Sequence, residues 1–280
     1  MPATTRFSAY ALLALALAAC GKDDPKPAAL GEHLTLGNPS GARPDAAQPT
    51  NYLLDKPQYA LSYHRDRGIP NWVSWHLSAD WLGSAARQDD FRADASLPAS
   101  WYQPGASSYS GSGFDRGHHC PSADRTRSVA DNSATFLMSN MAPQAPNNNQ
   151  RTWATLEDYC RTLVGQGNEL YVICGSYGTG GTGSNGTKTT IDQGRVTVPA
   201  RFWKVVVVLP TGNDDAARVG SSTRVIAVDV PNDNGVSSSW GSYRTTVDAI
   251  EQATGYDLLS AVKPAVQTSL EAGRDTGPTQ

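Results

Sequence analysis

The run Phe202-Trp203-Lys204-Val205-Val206-Val207-Val208-Leu209 constrains the fold more than any other segment. Consecutive β-branched side chains lose χ1 freedom in a helix and pack well on a pleated surface, so four valines in a row specify a strand. Glu169–Cys174 and Arg224–Val230 share this character and end near Gly or Pro, and all three read as buried strands. Gln58–His64 and Asn71–Leu77 alternate apolar or aromatic residues with polar ones. They read as short strands joined by the hairpin loop Arg65-Asp66-Arg67-Gly68. Thr135–Met138 is a further short apolar run. Two helices are expected. One runs from about Asn148 to Val164, with Trp153, Leu156, Cys160, Leu163 and Val164 at helical spacing and Gly165 as its stop. The other covers about Tyr243 to Thr254, with Val247, Ile250 and Ala253 on one stripe and Gly255 past its end. The class is therefore α+β, without internal repeats.

The 280 residues are 39% hydrophobic and 18% charged, which suits a folded chain and excludes a disordered one. The formal net charge is −3, so any attraction for phosphate must be local. The N-terminus reads as an export signal: Arg6 is basic, and Ala11–Ala19 is all Ala or Leu and too short to span a bilayer. It ends in Leu17-Ala18-Ala19-Cys20, which resembles a bacterial lipobox and implies lipidation of Cys20. The expected organisation is a signal peptide over 1–19, a lipidated Cys and flexible tether over 20–50, and one folded domain over 51–280. Such a chain is exported and anchored by its lipid to the bacterial cell envelope. Gly21 supplies no acidic retention signal, which favours the outer membrane. Cys120, Cys160 and Cys174 permit one disulfide and one free thiol, and the sequence does not choose the pair. The Gly/Thr/Ser-rich stretch Gly178–Thr190 lacks the Lys-Ser/Thr ending of a P-loop and reads as a surface loop.

Chemistry concentrates in Phe114-Asp115-Arg116-Gly117-His118-His119-Cys120-Pro121-Ser122-Ala123-Asp124-Arg125. An imidazole titrates near neutrality, an adjacent Arg can hold phosphate oxygens through two N–H groups, and a Gly lets the backbone approach a ligand. A zinc cluster of His118, His119 and Cys120 is the rival reading. Neighbouring side chains rarely reach one metal together, and no second Cys/His pair stands at zinc-finger spacing.

Asp115-Arg116-Gly117-His118 resembles the signature of the DNA/RNA nonspecific endonucleases of the ββα-metal (His-Me finger) class. Its members include secreted bacterial nucleases, among them the cyanobacterial sugar-nonspecific type, and mitochondrial endonuclease G. Three more blocks are similar in the same order: Arg87-Gln88-Asp89-Asp90-Phe91-Arg92, then Thr135–Gln144, then Asn147–Trp153 with Leu156–Arg161. The likeness runs from about Tyr59 to Ser269. It implies a central, mostly antiparallel sheet flanked by helices. It implies His118 as general base and Asn149, 31 positions later, as the one direct protein ligand of magnesium, with manganese as an alternative. Glu157, eight residues on, matches the carboxylate that orients the metal's water. Arg116 and Asp115 match the signature pair, Asp115 as a supporting group, and Arg87 and Arg161 match arginines that contact phosphate. Cleavage of DNA and RNA to 5′-phosphate products follows from the likeness. The paired His119-Cys120 and Cys174 depart from it, in positions where a disulfide would account for them.

On an α-helix at about 100° per residue, Asn149, Glu157 and Arg161 share a sector of roughly 120°, with Trp153 inside it. Without the resemblance, Glu157 and Arg161 read as an ordinary i,i+4 pair worth tenths of a kcal/mol, and Asn149 as one of three possible helix caps. His33 falls in the expected tether, and His64 and His76 read as structural. The alternative function is a surface nucleic-acid-binding module without catalysis.

Overall fold

The valine-rich run is a strand, Arg201–Pro210, inside a seven-stranded sheet whose pairings are all antiparallel. A computed structural model describes Met1, Pro2 and residues 31–280, so the export signal and Cys20 lie outside the described residues. Among the described residues no helix is long and apolar enough to cross a membrane.

The first strands are β1 (Tyr52–Asp55), β2 (Ala60–His64) and β3 (Ile69–Leu77). A separate two-stranded ribbon follows, β4 (Asp115–His118) with β5 (Met141–Gln144). Next come β6 (Asn168–Tyr177) and two small ribbons, β7 (Gly181–Gly183) with β8 (Gly186–Lys188), and β9 (Thr190–Ile191) with β10 (Val196–Thr197). The stretch Gly178–Thr190, expected as a plain surface loop, is thus partly ribbon. The last strands are β11 (Arg201–Pro210), β12 (Arg224–Pro231) and β13 (Arg244–Thr245). The sheet order is β1-β2-β3-β6-β11-β12-β13. The helices are α1 (Val129–Ala134), α2 (Ala154–Gly165), α3 (Asp215–Arg218), α4 (Val247–Thr254) and α5 (Pro264–Glu271).

Strand alternation divides the core in two. Phe202 and Val206 of β11 join Trp75, Val172 and Ile226 on one face, where Trp153 and the apolar stripe Leu156, Tyr159, Cys160, Leu163 and Val164 of α2 pack. Trp203, Val205, Val207 and Leu209 face the other way, against Val247 and Ile250 of α4 and Leu270 of α5. Full burial of each such side chain stabilises by about 1.5–3 kcal/mol relative to exposure. The ribbon β4–β5 lies on the α2 side, with Met141 and Ala142 in that core.

Four expectations need correction. Residues 31–50 are not a tether: Leu34, Leu36 and Ala42 are buried in the second core, and Ser74 Oγ donates to the His33 carbonyl at 2.6 Å. Polar and Pro-rich spacing conceals the few apolar residues that anchor this segment. His33 itself is only 2% exposed. Cys120, Cys160 and Cys174 are all buried free thiols, so they form no disulfide with one another. The helix expected from Asn148 begins as a π-helix over Asn148–Trp153 and becomes α-helical only at Ala154. The second helix starts at Val247, after β13, where the Thr246 hydroxyl accepts from Ala249 N–H at 3.1 Å. It ends at Gly255, whose φ of 75° suits glycine.

Candidate active site

The signature is a short strand because its backbone pairs with Met141–Gln144, His118 opposite Met141 and Asp115 opposite Gln144. A Cβ at Gly117 would press on the fully buried Gln144 and lie 3.0 Å from the Ala142 carbonyl, so only glycine fits. The turn after the strand is clamped by buried Asn140. Its Oδ1 accepts from Cys120 N–H at 3.0 Å, and its Nδ2 donates to the Cys120 and Thr135 carbonyls at 2.8 and 2.9 Å.

Successive side chains on this strand point opposite ways. The His118 ring meets Phe136 and Phe91 edge-on, at centroid distances of 5.0 and 5.6 Å. His119 packs instead toward Phe202 of the sheet, 6.0 Å away, with Nδ1 beside the Asn140 carbonyl at 3.1 Å. The two imidazoles do not converge, which removes the zinc reading. The phenylalanines also hold cations on their other surfaces. The Arg116 guanidinium stands 3.9 Å from the Phe91 centroid, and that of Arg87 stands 4.8 Å from Phe136. Arg87 is further fixed by Ser122 Oγ at 2.8 Å and Asp89 at 2.7 Å. Burial, then Arg87, His119 and Arg116, push the His118 pKa down to about 3. The ring is therefore neutral at working pH, and its Nε2 has no hydrogen-bond partner.

Asn149 sits in the π turn. Its Nδ2 donates to Asp115 Oδ2 at 2.8 Å, and Gln150 Nε2 donates to the same oxygen at 2.8 Å. A carboxylate only accepts, so Asp115 claims the amide nitrogen and turns Asn149 Oδ1 away from itself. The neighbouring asparagines are committed elsewhere: Asn148 Nδ2 to the Pro231 carbonyl at 3.1 Å, Asn147 Nδ2 to the Asn234 carbonyl at 2.7 Å. A π turn closes i→i+5 bonds and advances less per residue than the about 100° of an α-helix. That rotates Asn149 toward the side of the helix that carries Glu157.

A cleft of about 360 Å³ gathers Arg87, Asp89, Phe91, Tyr109, Asp115, Arg116 and Asn149. His118, Glu157 and Arg161 are not among its walls, although Phe91, which the His118 ring touches, is. Glu157 Oε1 accepts from Lys204 Nζ at 3.3 Å, and burial raises its pKa while Lys204 opposes that shift. Arg161 is drawn between Asp124, at 2.7 Å, and Asp158, so two carboxylates already occupy the arginine expected on phosphate. Asp124 ends the segment that leaves His118, which links the two halves of the site. Sequence reading passed over Phe91, Phe136, Gln150 and Lys204. The signal for Lys204 was a charge inside an apolar strand. Elsewhere, His76, Glu169 and Asp215 place ligand-type atoms within 4.8 Å of one another. Arg218 already donates to both carboxylates there, so the group is charge-balanced as it stands.

A histidine on a short ribbon, packed against a helix and backed by an antiparallel sheet, defines a ββα-metal nuclease, a hydrolase of phosphodiester bonds. The chain belongs to the DNA/RNA non-specific endonuclease family, which it matches over residues 38–265. It is 52% identical over 243 residues to a nuclease of Nostoc sp., covering 87% of this chain and 86% of that protein. It is 32% identical to nuclease C1 of Cunninghamella echinulata, over 84% of this chain and 95% of that one. To human mitochondrial endonuclease G it is 31% identical, over 72% of this chain and 68% of the relative. The crystal structure of an EndoG/EndoGI complex shares the fold, with a TM-score of 0.67 at 24% identity over 83% of this chain and 92% of that one.

Proposed function

We propose that this nuclease is a magnesium-dependent, sequence-nonspecific endonuclease of DNA and RNA that leaves 5′-phosphate ends, and that it acts from the cell envelope, anchored through a lipid on Cys20. The observation that carries the catalytic reading is the neutral His118, its buried Nε2 without a hydrogen-bond partner, packed against two phenylalanines that each hold an arginine. A water oxygen attacks phosphorus while His118 Nε2 takes its proton. The P–O3′ bond breaks, and the leaving 3′-oxygen gains a proton from solvent. Arg87 and Arg116 pair with the phosphate oxygens. The arriving anion offsets two of the causes that depress the His118 pKa, which moves the base toward its working range.

The residues fit a hard divalent cation. Asn149 offers a carbonyl oxygen whose amide nitrogen is already engaged, and Glu157 offers a carboxylate eight residues on, in the helix that continues the π turn. Asn149 would hold magnesium, which supplies positive charge to stabilise the leaving oxygen. A site that addresses phosphate and not base edges gives little sequence discrimination. The test is digestion of plasmid DNA and of RNA with and without EDTA, followed by end-group analysis. Loss of both activities in EDTA, and 5′-phosphate ends without it, are expected. Cleavage that survives EDTA contradicts the metal assignment. Binding without cleavage identifies a capture module instead.

A further inference from the structure

Lys204 is the one charged side chain in the valine-rich stretch Phe202–Leu209, and it is 1% exposed. Alternation along β11 turns it to the α2 side of the sheet. Its ammonium sits 4.4 Å from the Trp153 ring centroid and 5.6 Å from that of Trp75. An ammonium in a dry core is costly, and an apolar residue of the same volume is often neutral or stabilising in its place. Packing alone therefore does not account for Lys204.

Its one carboxylate partner by hydrogen bond is Glu157, through Oε1 at 3.3 Å. Among the described residues, Glu157 Oε2 has no partner. The nearby Asp124 is already engaged by Trp75 Nε1 at 3.0 Å and by Arg161 at 2.7 Å. Each carboxylate thus has its own cation, and each cation a fixed seat. Two indole rings hold the ammonium, the ammonium holds one oxygen of Glu157, and the other oxygen makes no hydrogen bond among the described residues.

We propose that Lys204 is a positioning residue for the nuclease reaction, holding Glu157 by one oxygen so that its other oxygen is presented to the water of the metal site. This rests on the proposed role of Glu157. A core ion pair with no such duty would change stability and leave turnover and metal affinity of the folded protein alone.

The experiment compares Lys204→Met, which keeps the volume, with Glu157→Gln and the double variant, each shown folded by thermal melting. Two quantities are read: kcat and KM on plasmid DNA, and the Kd for Mn²⁺ alone from the paramagnetic resonance of the free ion. Losing an outer partner of a metal site costs roughly 10–100-fold. Lys204→Met should lower kcat and weaken Mn²⁺ binding within that range, with KM little changed. In the Glu157→Gln background the Lys204 substitution should add nothing, because its whole effect passes through Glu157. Wild-type kcat and Kd in folded Lys204→Met overturn the proposal, as does an undiminished effect in the Glu157→Gln background. An inactive Glu157→Gln beside a wild-type Lys204→Met defeats the Lys204 role alone. A fully active Glu157→Gln defeats the role of Glu157 and this proposal with it. If Lys204→Met does not fold, Lys204→Leu, which likewise removes the donor, is read by the same criteria.

Discussion

Three consecutive asparagines give an internal control that separates stability from catalysis. Asn148 is fully buried and its Nδ2 donates to the Pro231 carbonyl at 3.1 Å. Asn148→Ala removes that bond and leaves a small void. The lost hydrogen bond alone contributes about 0.5–1.5 kcal/mol. In a domain of this size each kcal/mol moves Tm by roughly 2–4 °C, so a drop of several degrees is expected. Asn149 is half-buried at the cleft and shares Asp115 with Gln150. Asp115 keeps the Gln150 contact in Asn149→Ala, so Tm should change by only about 2 °C or less. Activity should behave the opposite way. If Asn149 is the direct metal ligand, its loss should cost at least ~10²-fold in kcat, more than the loss of an outer partner. Asn148→Ala should stay within a few-fold of wild type. Melting curves and plasmid nicking at saturating magnesium measure both. Equal activity losses, or a loss confined to Asn148→Ala, would refute the assignment of the ligand.

Gly117→Ala should destabilise by about 1–3 kcal/mol, because the added methyl meets Gln144 and the Ala142 carbonyl; denaturant unfolding checks this. Burial first, and then Arg125, push the His33 pKa down to about 3 from an ordinary value of 6.5. The unfolded chain binds that proton first, so stability is full above pH 6.5 and falls as the pH drops from there toward 3. The fall in Tm between pH 7 and pH 4 should be smaller in His33→Gln than in wild type, and an equal fall would contradict the buried neutral ring. The mature N-terminus should be a lipidated Cys20, and Cys20→Ser should move the protein to soluble fractions or leave an unprocessed precursor. Mass spectrometry of the N-terminal peptide decides, and an unmodified start downstream of Cys20 would mean an ordinary secreted enzyme.

The sheet was legible where β-branched residues cluster, as in Phe202–Leu209, because such runs have no comparable alternative conformation. The catalytic ribbon was not. Asp115-Arg116-Gly117-His118 and Met141-Ala142-Pro143-Gln144 carry no alternating apolar pattern, and their pairing depends on contacts made by Gln144 and Asn140. The π turn at Asn148–Trp153 was equally hidden, since a 3.6-residue stripe and a brief i→i+5 turn place Trp153 and Leu156 in the same core. The site residues came from blocks of similarity more than from local chemistry. Glu157 and Arg161 read alone as a surface pair, yet each is paired with a different buried or half-buried group. Lys204 reads as part of the apolar strand, because its partner Glu157 lies 47 residues away in the chain. Residues 31–50 were misread because composition describes an average, and three apolar side chains suffice to dock the segment.

The central claim is that His118 is the base in a metal-dependent phosphodiesterase, and the rate of plasmid hydrolysis by purified His118→Ala tests it most directly. Loss of a general base costs ~10²–10⁴ in rate. The variant should fall by that factor while melting near the wild-type temperature and retaining its affinity for DNA in the presence of a chelator. Turnover near the wild-type rate by a folded His118→Ala would contradict the account.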